Sequence, residues 1–176
     1  MTVTELAELA EQVGFSHWGE LNMQALQFLP EVREMCSSDK CKNYGRNWRC
    51  PPACGTLEEM EAEVRNYHAG ILLQTTATLE DSFDFETMTS AAKEHKEHFQ
   101  ELHDMLCDRG EKCMFLGTGG CTICKECAYP EKCRVPDRAM TSMEGSGLLV
   151  SQVCKDSGVP YYYGPNTLTY TACILI

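Results

Sequence analysis

Residues 121–136 read Cys-Thr-Ile-Cys-Lys-Glu-Cys-Ala-Tyr-Pro-Glu-Lys-Cys-Arg-Val-Pro, with cysteines in the spacing C-x2-C-x2-C-x5-C. Two residues between successive thiolates let a chain curl around one cube of iron and sulfide and offer three sulfur atoms to three irons. A fourth sulfur must come from further along the chain. The spacing therefore predicts a [4Fe–4S] site held by Cys121, Cys124, Cys127 and Cys133.

This spacing resembles the bacterial ferredoxin run C-x2-C-x2-C-x3-C-P, with two differences. Five residues rather than three precede the last cysteine, and Pro136 follows it three residues later rather than at once. A zinc site is the alternative, because four-cysteine zinc sites also use C-x2-C pairs. Zinc sites usually separate their cysteines into two distant pairs, so three cysteines in steps of three residues favour iron and sulfide.

A second group of cysteines precedes this stretch, within residues 36–54, in the spacing C-x4-C-x8-C-x3-C. Its members, Cys36, Cys41, Cys50 and Cys54, are numerous enough to close one metal site without help from elsewhere. We expect Tyr44 and Trp48 to form an apolar wall there that limits access of water. Zinc is again the alternative, and Cys54 is the ligand that the sequence supports least, since a cysteine after Pro51-Pro52 could equally point into the core.

Composition indicates a folded, reduced protein of the cytoplasm. The 176 residues are 43% hydrophobic, which suits one α/β domain over residues 1–176 that carries metal-binding segments at 36–54 and 121–136. We expect no membrane span, because no apolar run approaches the roughly 20 residues that a transmembrane helix needs. The first residues lack the features of an export signal. Twelve cysteines therefore predict metal ligands rather than disulfides, since the cytosol keeps thiols reduced.

The net charge of −11, with a pI near 4.9, argues against a nucleic-acid partner, whose phosphates would be repelled. It suits a redox protein whose protein partner presents a basic docking surface.

Periodicity predicts an α/β fold with a single mixed sheet flanked by helices and two cysteine-rich, cluster-binding loops. These loops should follow the first and third strands and could lie on the same edge of the sheet, which would place the two sites near one another. Strands are predicted near residues 15–21, 70–78, 113–117 and 167–176, and residues 161–163 together with 167–176 should supply one or two last strands. Helices are predicted over residues 2–13, 22–35, 56–67, 87–107 and 142–155.

Two features near the second cysteine group have alternative interpretations. The longest helix carries His95, His98 and His103 among lysines and glutamates, which we interpret as a solvated polar face rather than a metal site. His95 also falls on the apolar stripe of that helix.

The run Gly117-Thr-Gly-Gly120 lacks the Lys-Ser/Thr of a phosphate loop. We expect it to allow close backbone approach, with amide donors turned toward cluster sulfurs.

Several motifs together resemble a family of predicted metal-binding, cysteine-rich proteins of anaerobic bacteria and archaea. They are Cys41-Lys-Asn-Tyr-Gly-Arg-Asn-Trp-Arg-Cys-Pro-Pro, the cysteine run from 121 with its following Arg-x-Pro, and Ser-Met-Glu-x-x-Gly at 142–147. The resemblance runs from about Met35 onward and implies metal binding, as iron–sulfur. Two departures are Thr141, where the family pattern has Pro, and Ser146, where it often has Cys.

Three functions remain open on the sequence. The first is a carrier of two [4Fe–4S] clusters that transfers single electrons in anaerobic metabolism, with Cys107, Cys113, Cys154 and Cys173 as bystanders. The second is a small reductase or reductive activator with a substrate site beside a cluster, for which Tyr44, Trp48, Glu144 and Arg134 are candidates. The third is a zinc-stapled interaction module.

Overall fold

The computed structural model describes residues 1–176 and contains five helices and five strands. The helices are α1 (Val3–Val13), α2 (Pro30–Ser37), α3 (Leu57–Val64), α4 (Phe85–Asp108) and α5 (Val150–Asp156). The strands are β1 (His17–Glu20), β2 (Gly70–Thr78), β3 (Met114–Gly117), β4 (Thr141–Ser142) and β5 (Thr167–Leu175).

The strands form one mixed sheet in the order β1-β2-β5-β3-β4. The β3–β4 pair is parallel, whereas the other three pairs are antiparallel. Alternate residues of a strand point to opposite faces of the sheet, so each face presents apolar side chains. Helices pack against both faces. Ile71 and Leu73 of β2 pack with α1 and α4, whereas Leu72 packs with α3 and α5. The predicted α/β fold with a single mixed sheet is confirmed.

Local sequence explains where several elements begin and end. Thr2 and Thr56 cap α1 and α3, and each forms a reciprocal capping box with a glutamate three residues on. Asp84 caps α4, which therefore starts two residues before the predicted position. Gly14 ends α1 in the left-handed region at φ +114°.

The predicted helix over 142–155 is wrong in its first half. Thr141 and Ser142 pair with β3, and the Met143 N–H donates to the Gly117 carbonyl at 3.0 Å. A 3-10 turn follows, and Gly147 adopts φ +89°, a conformation that cannot continue a right-handed helix. Only α5 remains helical.

One further prediction differs from the structure, and one open alternative is resolved. The helical connector over 22–35 is a 3-10 turn at Met23–Ala25, an extended stretch, and then α2. Extension there lets Phe28 form a β-bridge with Leu148. Residues 161–163 form no strand. Instead, the Tyr163 hydroxyl donates to Gln74 Oε1 at 2.6 Å, and the ring stacks on His17.

The two cysteine segments do lie together, although not for the expected reason. β1 is at one edge of the sheet and β3 is near the other, so position after a strand does not bring them close. Helix α2 carries the first segment across to the turn that follows β4. There the Leu29 N–H donates to the Gly147 carbonyl at 2.8 Å, and Arg33 Nη1 donates to the Gly145 carbonyl at 2.8 Å.

Candidate metal centre

The four cysteines of the second segment line one small cavity: Cys121, Cys124, Cys127 and Cys133. Each of them is partly buried, whereas intervening residues such as Thr122, Lys125 and Lys132 are exposed. The chain therefore turns its thiols inward and its polar side chains outward. Trp48 of the first segment lines the same cavity.

The backbone of this segment is poor in internal hydrogen bonds. From Thr118 to Ala128, no backbone N–H donates to an acceptor in the protein. Backbone amides usually find partners in secondary structure, side chains or ligands. By contrast, residues 36–54 bond within themselves, for example from the Cys50 N–H to the Asn47 carbonyl at 3.1 Å and from the Cys54 N–H to the Cys50 carbonyl at 3.1 Å.

The first segment holds its four thiols at different depths. Cys36 lies in the last turn of α2, Cys50 is buried, and Cys41 is exposed. Cys54 is partly buried, with its Sγ 3.7 Å from the Gly145 carbonyl oxygen. The position after Pro51-Pro52 therefore does not send Cys54 into the main core.

The thiols of the first segment influence one another electrostatically. Burial, reinforced by the negative charge that Cys41, Cys54 and Cys36 would carry, raises the pKa of Cys50 to about 12. Burial is also the main cause that raises the pKa values of Cys36 and Cys54. In the absence of a cation these groups are neutral thiols at pH 7, and any metal that binds must displace their protons.

Three consecutive side chains of the first segment clamp the second. Buried Asn47 donates from Nδ2 to the Cys121 carbonyl at 3.1 Å, and Trp48 donates from Nε1 to the Glu131 carbonyl at 2.6 Å. Arg49 donates from Nη2 to the Pro136 carbonyl at 2.7 Å. The two segments therefore form one surface.

The glycine run before Cys121 allows the predicted close approach. A Cβ atom on Gly120 would lie 2.7 Å from Asn43 Nδ2, closer than side chains tolerate, and Gly119 has φ +62°. Asn43 belongs to the first segment, so glycine at position 120 lets the two segments touch. That the amides here face cluster sulfurs stays a prediction.

The side chains do not converge on a single ion anywhere in the protein. No group of three or more His, Cys, Asp or Glu side chains is arranged to hold one metal ion. The four thiols of the second segment line one cavity but do not form such a group.

The structure separates the four side chains suggested for a substrate site. Trp48 and Arg134 line the cavity of the second segment, and Arg134 Nη1 donates to the Glu126 carbonyl at 2.9 Å. Glu144 lies beside the first segment, where its charge contributes to raising the pKa of Cys36. Its Oε2 is buried without a hydrogen-bond partner. Tyr44 does not line the cavity, and its backbone N–H donates to the Asp39 carboxylate. These residues do not form one site.

The solvated histidine face predicted for α4 is wrong for two of its three members. His95 is buried, with Nδ1 2.9 Å from Thr75 Oγ1, and burial lowers its pKa to about 3. His103 is buried too, and its Nε2 is 3.0 Å from the Asp137 carbonyl oxygen. The apolar stripe that includes His95 is the better signal for these positions.

The four remaining cysteines are dispersed. Cys154 and Cys173 are buried in the core between the sheet, α3 and α5, and burial raises the pKa values of both. Cys113 is partly buried, and Cys107 is exposed near the end of α4.

Sequence reasoning missed one residue, Lys96, whose ammonium lies between α4 and the glycine run instead of in bulk water.

Comparison with known proteins identifies a family and nothing finer. No helix is both long and apolar enough to cross a bilayer. No curated protein and no solved structure matches the chain significantly. A family model described as predicted metal-binding protein (DUF2284) matches residues 19–176 and so includes both cysteine segments. The expectation of metal binding is confirmed at this level: the chain belongs to the DUF2284 family of predicted metal-binding proteins.

Proposed function

We propose that this protein binds two [4Fe–4S] clusters and passes single electrons to and from a redox partner in anaerobic metabolism. One cluster is held by Cys121, Cys124, Cys127 and Cys133, and the other by Cys36, Cys41, Cys50 and Cys54. The observation that carries the proposal is the cavity shared by the four cysteines of the second segment, within a loop whose amides have no acceptors in the protein.

The free amides support iron and sulfide over zinc. Thiolate and sulfide atoms of a cluster accept N–H hydrogen bonds, which are among the factors that set its potential. The loop from Cys121 to Ala128 uses none of its backbone N–H groups in hydrogen bonds within the protein, so these donors are available to the sulfur atoms of a cluster.

The first segment supports a second site of the same kind. Its other three thiols are close enough to influence the pKa of Cys50, and Cys121 contributes to that effect as well. The two proposed sites are therefore neighbours. Cys36 and Cys50 are attached to hydrogen-bonded backbone, so this segment supplies a preformed frame onto which the second segment is clamped.

When bound, an all-cysteine cubane supplies a one-electron couple with no open iron position. The chain's contribution is to hold the ligands and limit water. Trp48, Val135 and Ala139 line the cavity with apolar surface, and the Trp48 ring meets the edge of Tyr129 at a centroid distance of 5.0 Å. The clamp from Asn47 fixes the separation of the two segments.

The distribution of charge bears on the kind of partner expected. Residues 36–54 contain four basic and one acidic side chain, and residues 121–136 contain three basic and two acidic ones. The two segments therefore carry a net charge of +4, and the rest of the chain carries −15. Lys42, Arg46 and Lys125 line one cleft together with cysteines of the second segment. The thiolates that hold two clusters would bring negative charge to the same face and offset these cations, so we retain the proposal of a partner with a basic docking surface.

The proposal is tested by spectroscopy on anaerobically purified protein and matched cysteine variants. Cys127→Ser and Cys41→Ser should each lose one cluster's share of the visible absorption and of the EPR signal after dithionite reduction. Cys107→Ser, which changes an exposed cysteine outside both segments, should retain both signals. A colourless, EPR-silent wild-type protein that contains zinc would replace this function with the structural, zinc-stapled one.

A further inference from the structure

A cavity of about 360 Å³ lies between α4 and residues 117–123, and Cys121 is the one cysteine of its segment that lines it. Its size is within the range of sites that bind small molecules. Cys121 lines both cavities, so this second space is adjacent to the proposed cluster.

Lys96 gives the cavity a positive charge that no carboxylate of the protein neutralises. Its Nζ donates to the Gly120 carbonyl at 3.2 Å and to Thr122 Oγ1 at 3.4 Å, both neutral groups. The other two cations in the lining already have carboxylate partners. Lys93 pairs with Glu97 at 3.6 Å, and Arg138 grips Asp104 with two hydrogen bonds of 3.2 and 2.7 Å. No carboxylate pairs with Lys96.

The rest of the lining is largely apolar or neutral. Phe99, Ile123 and Met140 contribute hydrocarbon, and His95 contributes a buried ring. The N–H groups of Gly119 and Gly120 in the same wall donate to no acceptor in the protein. One half-buried cation with free amide donors beside an apolar surface is complementary to an anionic group on an apolar body.

We propose that this cavity binds a small carboxylate whose apolar body packs against Phe99 and Met140 and whose carboxylate pairs with Lys96. The proposal goes beyond electron carriage, because such a ligand would lie beside Cys121 and hence beside a redox centre. Only the expected redox role of the bound carboxylate rests on the proposed function. Binding itself depends on the cavity and on Lys96.

The probe is benzoate, with the neutral benzamide as its matched comparison. Binding to the anaerobically purified holoprotein is followed by saturation-transfer NMR and by calorimetry. We expect benzoate to bind, and Lys96→Met to weaken it by about tenfold or more, because a charge-assisted hydrogen bond is lost. Lys112→Met, at an exposed lysine outside the cavity, should leave benzoate affinity unchanged. Benzamide should bind more weakly and respond little to Lys96→Met.

Two results would overturn the inference: no benzoate binding at millimolar concentration, or equal affinity of wild type and Lys96→Met. Iron content and melting temperature of Lys96→Met are measured alongside. If they fall, Lys96→Arg, which keeps the charge, must restore benzoate affinity, and its failure to do so also counts against the inference. A protein that binds benzoate but contains zinc and no sulfide would retain this site and lose the cluster proposal, so the two can fail separately.

Discussion

Asn47 donates a hydrogen bond from Nδ2 to the carbonyl oxygen of Cys121 at 3.1 Å, across 74 positions of sequence. The same side chain accepts from the Arg49 N–H at 3.0 Å, so it orders its own loop and the start of the other. Because Asn47 is only 3% exposed, water does not easily replace either bond. This residue joins the two proposed cluster sites.

Asn47→Ala should therefore lower the free energy of unfolding by about 1–3 kcal/mol, the cost of leaving buried polar groups without partners. It should also speed the loss of iron from the second segment on exposure to a chelator. Urea unfolding and iron release measure the two effects. Asn66→Ala is the control, because Asn66 is exposed and its side chain makes no hydrogen bond. Equal behaviour of the two variants would show that the clamp contributes nothing.

Cys124→Ser should remove about half of the bound iron and lower the melting temperature. The loop around Cys124 has few hydrogen bonds of its own, so ligation would supply most of its order. Thermal unfolding and iron analysis are compared with Cys107→Ser, which changes an exposed cysteine. Unchanged iron and melting temperature in Cys124→Ser would remove this residue from the ligand set.

Cys54→Ser tests the ligand that the sequence supports least. Its sulfur is 3.7 Å from the Gly145 carbonyl and is near the other thiols of the first segment, so we expect loss of one cluster with the second segment's cluster retained. EPR after dithionite reduction distinguishes one remaining cluster from two. Two intact signals would mean that Cys54 is a bystander and that another group completes the first site.

The charge on the face of the two segments should control electron exchange with small oxidants. Lys42→Glu with Lys125→Glu should slow oxidation of the reduced protein by anionic ferricyanide several-fold at low ionic strength, and speed oxidation by a cationic cobalt hexaammine. Stopped-flow rates at two salt concentrations measure this. The control is Lys112→Glu with Lys155→Glu, which carries the same total charge change at two exposed positions that line neither cleft nor cavity and should have a much smaller effect. Equal effects of the two double variants would contradict the proposed docking face.

Elements with a strong local pattern could be predicted from the sequence. Strands β2 and β5 are marked by β-branched and apolar residues, and α1 and α3 by their threonine caps. Strand β4 has only two residues, Thr141 and Ser142, and exists because β3 pairs with them. No local pattern could reveal such a pairing, so the stretch after it was predicted as helix.

The candidate site was predictable in part for the same reason. Cysteine spacing is local, and the four thiols that it groups line one cavity. The clamp from Asn47 and the position of Lys96 depend on contacts between residues that are distant in sequence. Lys96 follows a buried histidine on α4, and sequence alone could not distinguish its half-buried environment from that of solvated Lys93.

The most direct test of two iron–sulfur clusters is the content of iron, zinc and acid-labile sulfide per chain in protein purified without oxygen. Two [4Fe–4S] clusters predict about eight irons and about eight sulfides, with little zinc. About two zincs per chain, with no sulfide and no colour, would contradict the central claim and leave the cysteine segments with a structural role.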